Sequence, residues 1–91
     1  PKPWEACAHT IAPDLREHLL TTDEPYFMVK ITFENEITEK KITKLEQIGI
    51  LVATHSTNTA TARASESSIT ELCQQKDTKS ISLFNRLEGV R

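Results

Sequence analysis

Residues 48–64 read Ile-Gly-Ile-Leu-Val-Ala-Thr-His-Ser-Thr-Asn-Thr-Ala-Thr-Ala-Arg-Ala, and this stretch narrows the possible folds more than any other. Two β-favouring runs, 50–55 and 59–64, flank the turn residues Ser56, Thr57 and Asn58, which is the pattern of a β-hairpin. In the second run Ala60, Ala62 and Ala64 alternate with Thr59, Thr61 and Arg63. A two-residue period places each set on its own face of a sheet. The alanine face is small enough to let a helix approach closely. The threonines suit a strand because their β-branch restricts χ1. Ile50 and Val52 are expected beside the alanines, with Leu51, Ala53 and His55 opposite.

The hairpin sits between two similar halves. Before it, residues 26–33 alternate Phe27, Val29, Ile31 and Phe33 with Tyr26, Met28, Lys30 and Thr32, which predicts a strand with one core face. Thr38 is placed to cap a helix whose face carries Ile42, Leu45 and Ile48, and Gly49 to end it. After the hairpin, Ser65 is placed to cap a helix with Ile69, Leu72 and Cys73 on its apolar stripe, ending at Lys76-Asp77. A last strand over 78–84 puts Ile81 and Leu83 on one face and Ser80, Ser82 and Phe84 on the other. The order strand, helix, two strands, helix, strand predicts an α+β fold: a ferredoxin-like βαββαβ sandwich with a four-stranded antiparallel sheet. Right-handed crossovers would lay both helices on one sheet face and leave the other open.

Residues 1–25 form a lead segment ahead of this 26–84 domain, and 85–91, which have no period, form a tail. Within the lead, Pro13 and Asp14 suit the start of a short helix, and Ile11, Leu15 and Leu19 recur every fourth residue. His18 is expected on the flank of that helix, and Trp4 reads as an anchor against the body. Cys7 and Cys73 read first as buried thiols, with a single bridge between the lead segment and the 65–75 helix as the alternative. A first residue of Pro rather than Met points to a piece excised from something longer.

Composition and motif content remove several function classes. A net charge of −2 leaves no basic footprint for nucleic acid as the main partner. No apolar run approaches the roughly 18 residues that span a bilayer, so no membrane association is expected. The two glycines belong to no phosphate-cradling loop, and His9, His18 and His55 have no metal-ligand spacing. No serine, histidine and carboxylate can be given the usual catalytic roles, so neither an enzyme nor a cofactor is expected. The open sheet face is more informative. It is expected to carry Tyr26, Met28, Leu51, Ala53, Thr59, Thr61, Arg63 and Phe84. Aromatics, Met and Arg are enriched in the cores of protein interfaces.

The run Leu45-Glu46-Gln47-Ile48-Gly49-Ile50-Leu51-Val52, then Asn58-Thr59-Ala60-Thr61-Ala62-Arg63-Ala64-Ser65, Leu72, Asp77 and Ser80-Ile81-Ser82-Leu83 resembles the propeptide domain of subtilisin-like serine proteases. In that family a helix ends in Leu-x-x-x-Gly, a hairpin strand like Ala-Thr-Val-Arg-Ala comes next, and a Ser-capped helix leads to the last strand. The similarity covers residues 26–86. It implies a non-enzymatic domain that inhibits its protease and assists its folding, in cis or in trans. The open face, with Tyr26, Met28, Thr59, Thr61, Arg63 and Phe84, would dock on surface helices of the protease. Leu87, Glu88, Gly89, Val90 and Arg91 would lie extended in the substrate cleft. The alternatives are a free-standing interaction module on the same fold, and a small-molecule regulatory domain.

Overall fold

A computed structural model describes residues 2–84. In chain order a 3₁₀ segment (Pro3–Thr10) precedes α1 (Pro13–Thr21), β1 (Phe27–Phe33), α2 (Glu39–Gln47), β2 (Leu51–His55), β3 (Thr59–Ala64), α3 (Glu66–Cys73) and β4 (Thr78–Leu83). The strands form one antiparallel sheet in the order β2-β3-β1-β4, an α+β arrangement compatible with the expected plan.

Helix ends obey the local chemistry read from the sequence. Thr38 Oγ1 accepts the Lys41 N–H at 3.2 Å and starts α2. At its far end, the N–H groups of Gly49 and Ile50 donate to the carbonyls of Glu46 and Leu45 at 3.0 and 2.9 Å. This is a Schellman closure, and it places Gly49 at φ +93°, a conformation side chains resist. Ser65 accepts from the Ser68 N–H, and Ser68 Oγ accepts from the Ser65 N–H, a reciprocal box that starts α3. The helix closes at Cys73, three residues before the Lys76-Asp77 stop expected from sequence.

One sheet face makes the core. Phe27, Val29, Ile31 and Phe33 of β1, the three alanines of β3 and Ile81 of β4 are buried together with Leu45 of α2 and Ile69 and Leu72 of α3. Register explains the fit: Val29 stands opposite Ala62 and Ile31 opposite Ala60, so each large side chain meets a small one across the strands. Close packing of this kind tolerates little added volume.

The N-terminal residues are built into that core. Trp4 is 2% exposed, and its Nε1–H donates to Glu66 Oε2 at 2.8 Å. Leu15 and Leu19 of α1 are buried in the same cluster. Ile11 lies outside α1, yet is buried because it forms a parallel bridge with Ile81, and the Ala12 N–H donates to the Ile81 carbonyl at 2.8 Å. The outer edge of β4 is therefore partly covered. His18 sits on the flank of α1, its ring edge-on to Phe27 at 5.2 Å.

The cysteines are paired rather than free. Cys7 and Cys73 are disulfide-bonded, with Cα atoms 5.7 Å apart, and join the 3₁₀ segment to the end of α3. This corrects the expectation of two buried thiols. A separation of 66 residues carries no sign of the bond, because only the packed fold brings the two together. In the chain-entropy account, closing a loop of that length stabilises the native state by about 4 kcal/mol.

Two substitutions check this packing. Ala62→Leu should overpack the buried face and lower stability by about 1–3 kcal/mol in urea unfolding. Gly49→Ala should lower it by about 1–3 kcal/mol, through backbone conformation rather than a clash, since an added Cβ would meet Ser68 at an ordinary 3.7 Å.

Candidate functional site

The second face of the sheet holds the candidate site, and the strand register fixes its layout. Leu51 pairs with Arg63, Arg63 with Met28, and the Phe84 N–H donates to the Met28 carbonyl at 2.9 Å. These four residues form one row across all the strands. The next row is Thr54, Thr61, Lys30 and Ser82, and beyond it Thr59, Thr32 and Ser80 stand in line. Large apolar groups thus gather at the Phe84 end, and small hydroxyls with Lys30 among them occupy the remainder.

Exposure obeys the same division. Tyr26 and Leu51 are 51% and 46% exposed, Arg63 is exposed, and Met28, Thr59, Thr61 and Phe84 are half-buried. Tyr26 lies just before β1, where its ring meets the Arg63 guanidinium at 4.7 Å. A cation–π contact at a surface contributes about 0.5–1 kcal/mol and holds both side chains over the row. The six residues expected to form the docking face, Tyr26, Met28, Thr59, Thr61, Arg63 and Phe84, are therefore brought to one surface. Leu87, Glu88, Gly89, Val90 and Arg91 lie outside the described residues.

One expectation about β2 is corrected. Simple alternation places Ala53 and His55 on this face, and the register overturns this for His55. The β2–β3 register shifts between Val52 and Thr54, so Thr54 stands opposite Thr61 while His55 stands opposite Ala60. A bulge inserts one residue and reverses the facing of the residues beyond it. Sequence reasoning also passes over Lys30 as a member of the site. Its signal is present in the alternation of β1, which puts Lys30 on the same face as Met28.

The electrostatics are one-sided. Arg63 and Lys30 are the charged groups in these rows, and no carboxylate stands in them. The chain as a whole carries −2, so its acidic groups lie elsewhere. The arrangement offers an apolar, weakly cationic contact surface with strand hydroxyls alongside. Among the described residues no group of three or more His, Cys, Asp or Glu is placed to hold a metal ion. None of their helices is long and apolar enough to cross a membrane.

Compared with known proteins, the chain matches no family model, no curated protein and no solved structure.

Because Arg63 projects from the surface and supports Tyr26 only through the ring contact, Arg63→Ala should lower stability by about 1 kcal/mol or less. Tyr26 should become more accessible, read as increased iodination or a shifted ring resonance.

Proposed function

We propose that this chain is a ferredoxin-like, propeptide-type inhibitor of a subtilisin-like serine protease. In this reading the open sheet face docks on the enzyme and Leu87 to Arg91 enter its substrate cleft. The observation that carries the reading is the row Leu51, Arg63, Met28 and Phe84. It is an apolar and cationic band that no described helix covers, on a sheet whose other face is packed with helices. The strand order β2-β3-β1-β4 supports the ferredoxin-like part.

The mechanism needs no catalytic group on this chain. Phe84, the last described residue, stands at the edge of the apolar row. An extended peptide binds a protease cleft by adding main-chain hydrogen bonds to a strand edge, with pockets reading alternate side chains. Such a peptide alone is a weak ligand and is open to cleavage. Tethering it to a docked body raises its effective concentration and strengthens binding without new contacts. Arg63 and Lys30 favour an enzyme surface that presents carboxylates or helix C-termini at the contact.

The intact chain titrated against a subtilisin-like protease should inhibit it and co-elute with it on gel filtration. Removing residues 87–91 should weaken inhibition by about a hundredfold through loss of the tethered ligand, with the circular dichroism spectrum unchanged. Leu51→Asp combined with Arg63→Glu should weaken it independently. No inhibition and no complex with the intact chain would remove the proposal. Binding that ignores loss of the tail would instead identify a sheet-mediated interaction module.

A further inference from the structure

The bridge between Cys7 and Cys73 lies in the wall of a recess of about 440 Å³, lined also by Ala6, His9, Thr10, Gln74, Gln75, Lys76 and Thr78. Among the described residues no carboxylate lines it, and His9 and Lys76 are its basic side chains. A thiolate is the attacking species in disulfide exchange, and a cationic surrounding favours its approach. We propose that Cys7–Cys73 is a thiol-exchange site, and that opening it undocks the N-terminal residues 2–10 from α3 while the sheet persists.

The chemistry balances with a dithiol reductant, or two equivalents of a monothiol. The first thiolate attacks one bridge sulfur, forms a mixed disulfide and expels the other cysteine as a thiolate, which takes up a proton. A second thiolate then attacks the reductant sulfur of the mixed disulfide, and the cysteine held in it leaves as a thiolate and takes up the second proton. Cys7 and Cys73 gain two electrons and two protons between them, and the reductant is oxidised to its disulfide.

The 3₁₀ segment should respond as a unit because it meets the rest of the chain mainly at one element, α3, with a smaller contact at β4. Of its eight residues only Trp4, Cys7 and Thr10 are buried. Besides the bridge, its side chains reach α3 through the Trp4 bond to Glu66, and the adjoining Lys2 pairs with Glu66 at 3.5 Å. The segment is itself interrupted at Cys7, whose φ of −125° and ψ of 31° are not helical. From Ile11 onward the chain is fixed differently, by the strand-like bonds to Ile81 and by Leu15 and Leu19 in the core. Residue 11 is thus the natural boundary between what is released and what stays. The docking face lies on the other side of the sheet, so this inference stands apart from protease binding.

Trp4 is the single tryptophan of the chain, which makes the event directly readable. Under native conditions, thioglycolate should release two thiols per chain and shift Trp4 emission to the red, with increased acrylamide quenching. Amide protection in β1 and β3 should be retained. The double variant Cys7→Ala, Cys73→Ala should show the red-shifted emission without reductant. Lys76→Glu should slow reduction by the anionic thioglycolate several-fold and should not slow reduction by the cationic thiol cysteamine. Three results would overturn the proposal: thiols released only in denaturant, Trp4 emission unchanged after reduction, or loss of sheet protection together with the Trp4 shift. The last would show that the bridge holds the whole fold.

Discussion

The alanine column of β3 is the constraint on which the rest depends. Ala60, Ala62 and Ala64 sit buried beside the aromatic and branched residues of β1, and they leave room for α2 and α3 to close over the sheet. Once that face is sealed, the alternate residues of β3 have only the opposite side to occupy. Thr59, Thr61 and Arg63 are therefore displayed as a consequence of how the core packs. Fold and candidate site are two faces of one alternation. A change of register by a single residue would exchange them, which is why a strand buried on one face specifies its pairing so strongly.

A sheet of four short strands with three short helices buries limited apolar surface, and a chain of this size folds with little to spare. Residues 2–21 enlarge the core on the β4 side. Trp4, Ile11, Leu15 and Leu19 extend the cluster, and Ile11 with Ala12 occupies part of an edge that would otherwise present unpaired backbone groups. The bridge to Cys73 then ties the 3₁₀ segment to the end of α3. Covalent constraint here adds to the packing of Trp4 and Cys7 in the core.

The sequence is legible wherever a local rule decides the structure. The caps at Thr38 and Ser65, the stop at Gly49, the turn at 56–58 and the alternation of β1 and β3 all depend on residues within a few positions of one another. Failures arise where distant pairing decides. The bulge near Ala53 reflects how β2 must meet β3, and nothing in Leu-Val-Ala-Thr-His marks it. Cys7 and Cys73 are joined by a fold that brings the start of the chain against α3. Ile11 resembles part of a helical stripe because it lies four residues before Leu15, yet its burial comes from β4. For the candidate site, alternation alone gathers Tyr26, Met28, Thr59, Thr61, Arg63 and Phe84 on one face, whereas the crowding of apolar groups at one end needs the inter-strand register.

That crowding bears on what the open face can bind. A uniform stripe of threonine and serine would suit solvent, and isolated apolar residues on a surface are ordinary. Here Leu51, Met28 and Phe84 fall in a single row with Arg63 between two of them, and the Tyr26 ring packs on its guanidinium. An anchor of this composition gains most when a partner excludes water from it, since the same cation–π contact strengthens as it is desolvated. The positive sign of the face, on a chain of net negative charge, adds orientation. In the proposed docking, a partner with an acidic contact surface would be attracted to this side and repelled by the remainder, so charge would select the pose before the apolar row seals it.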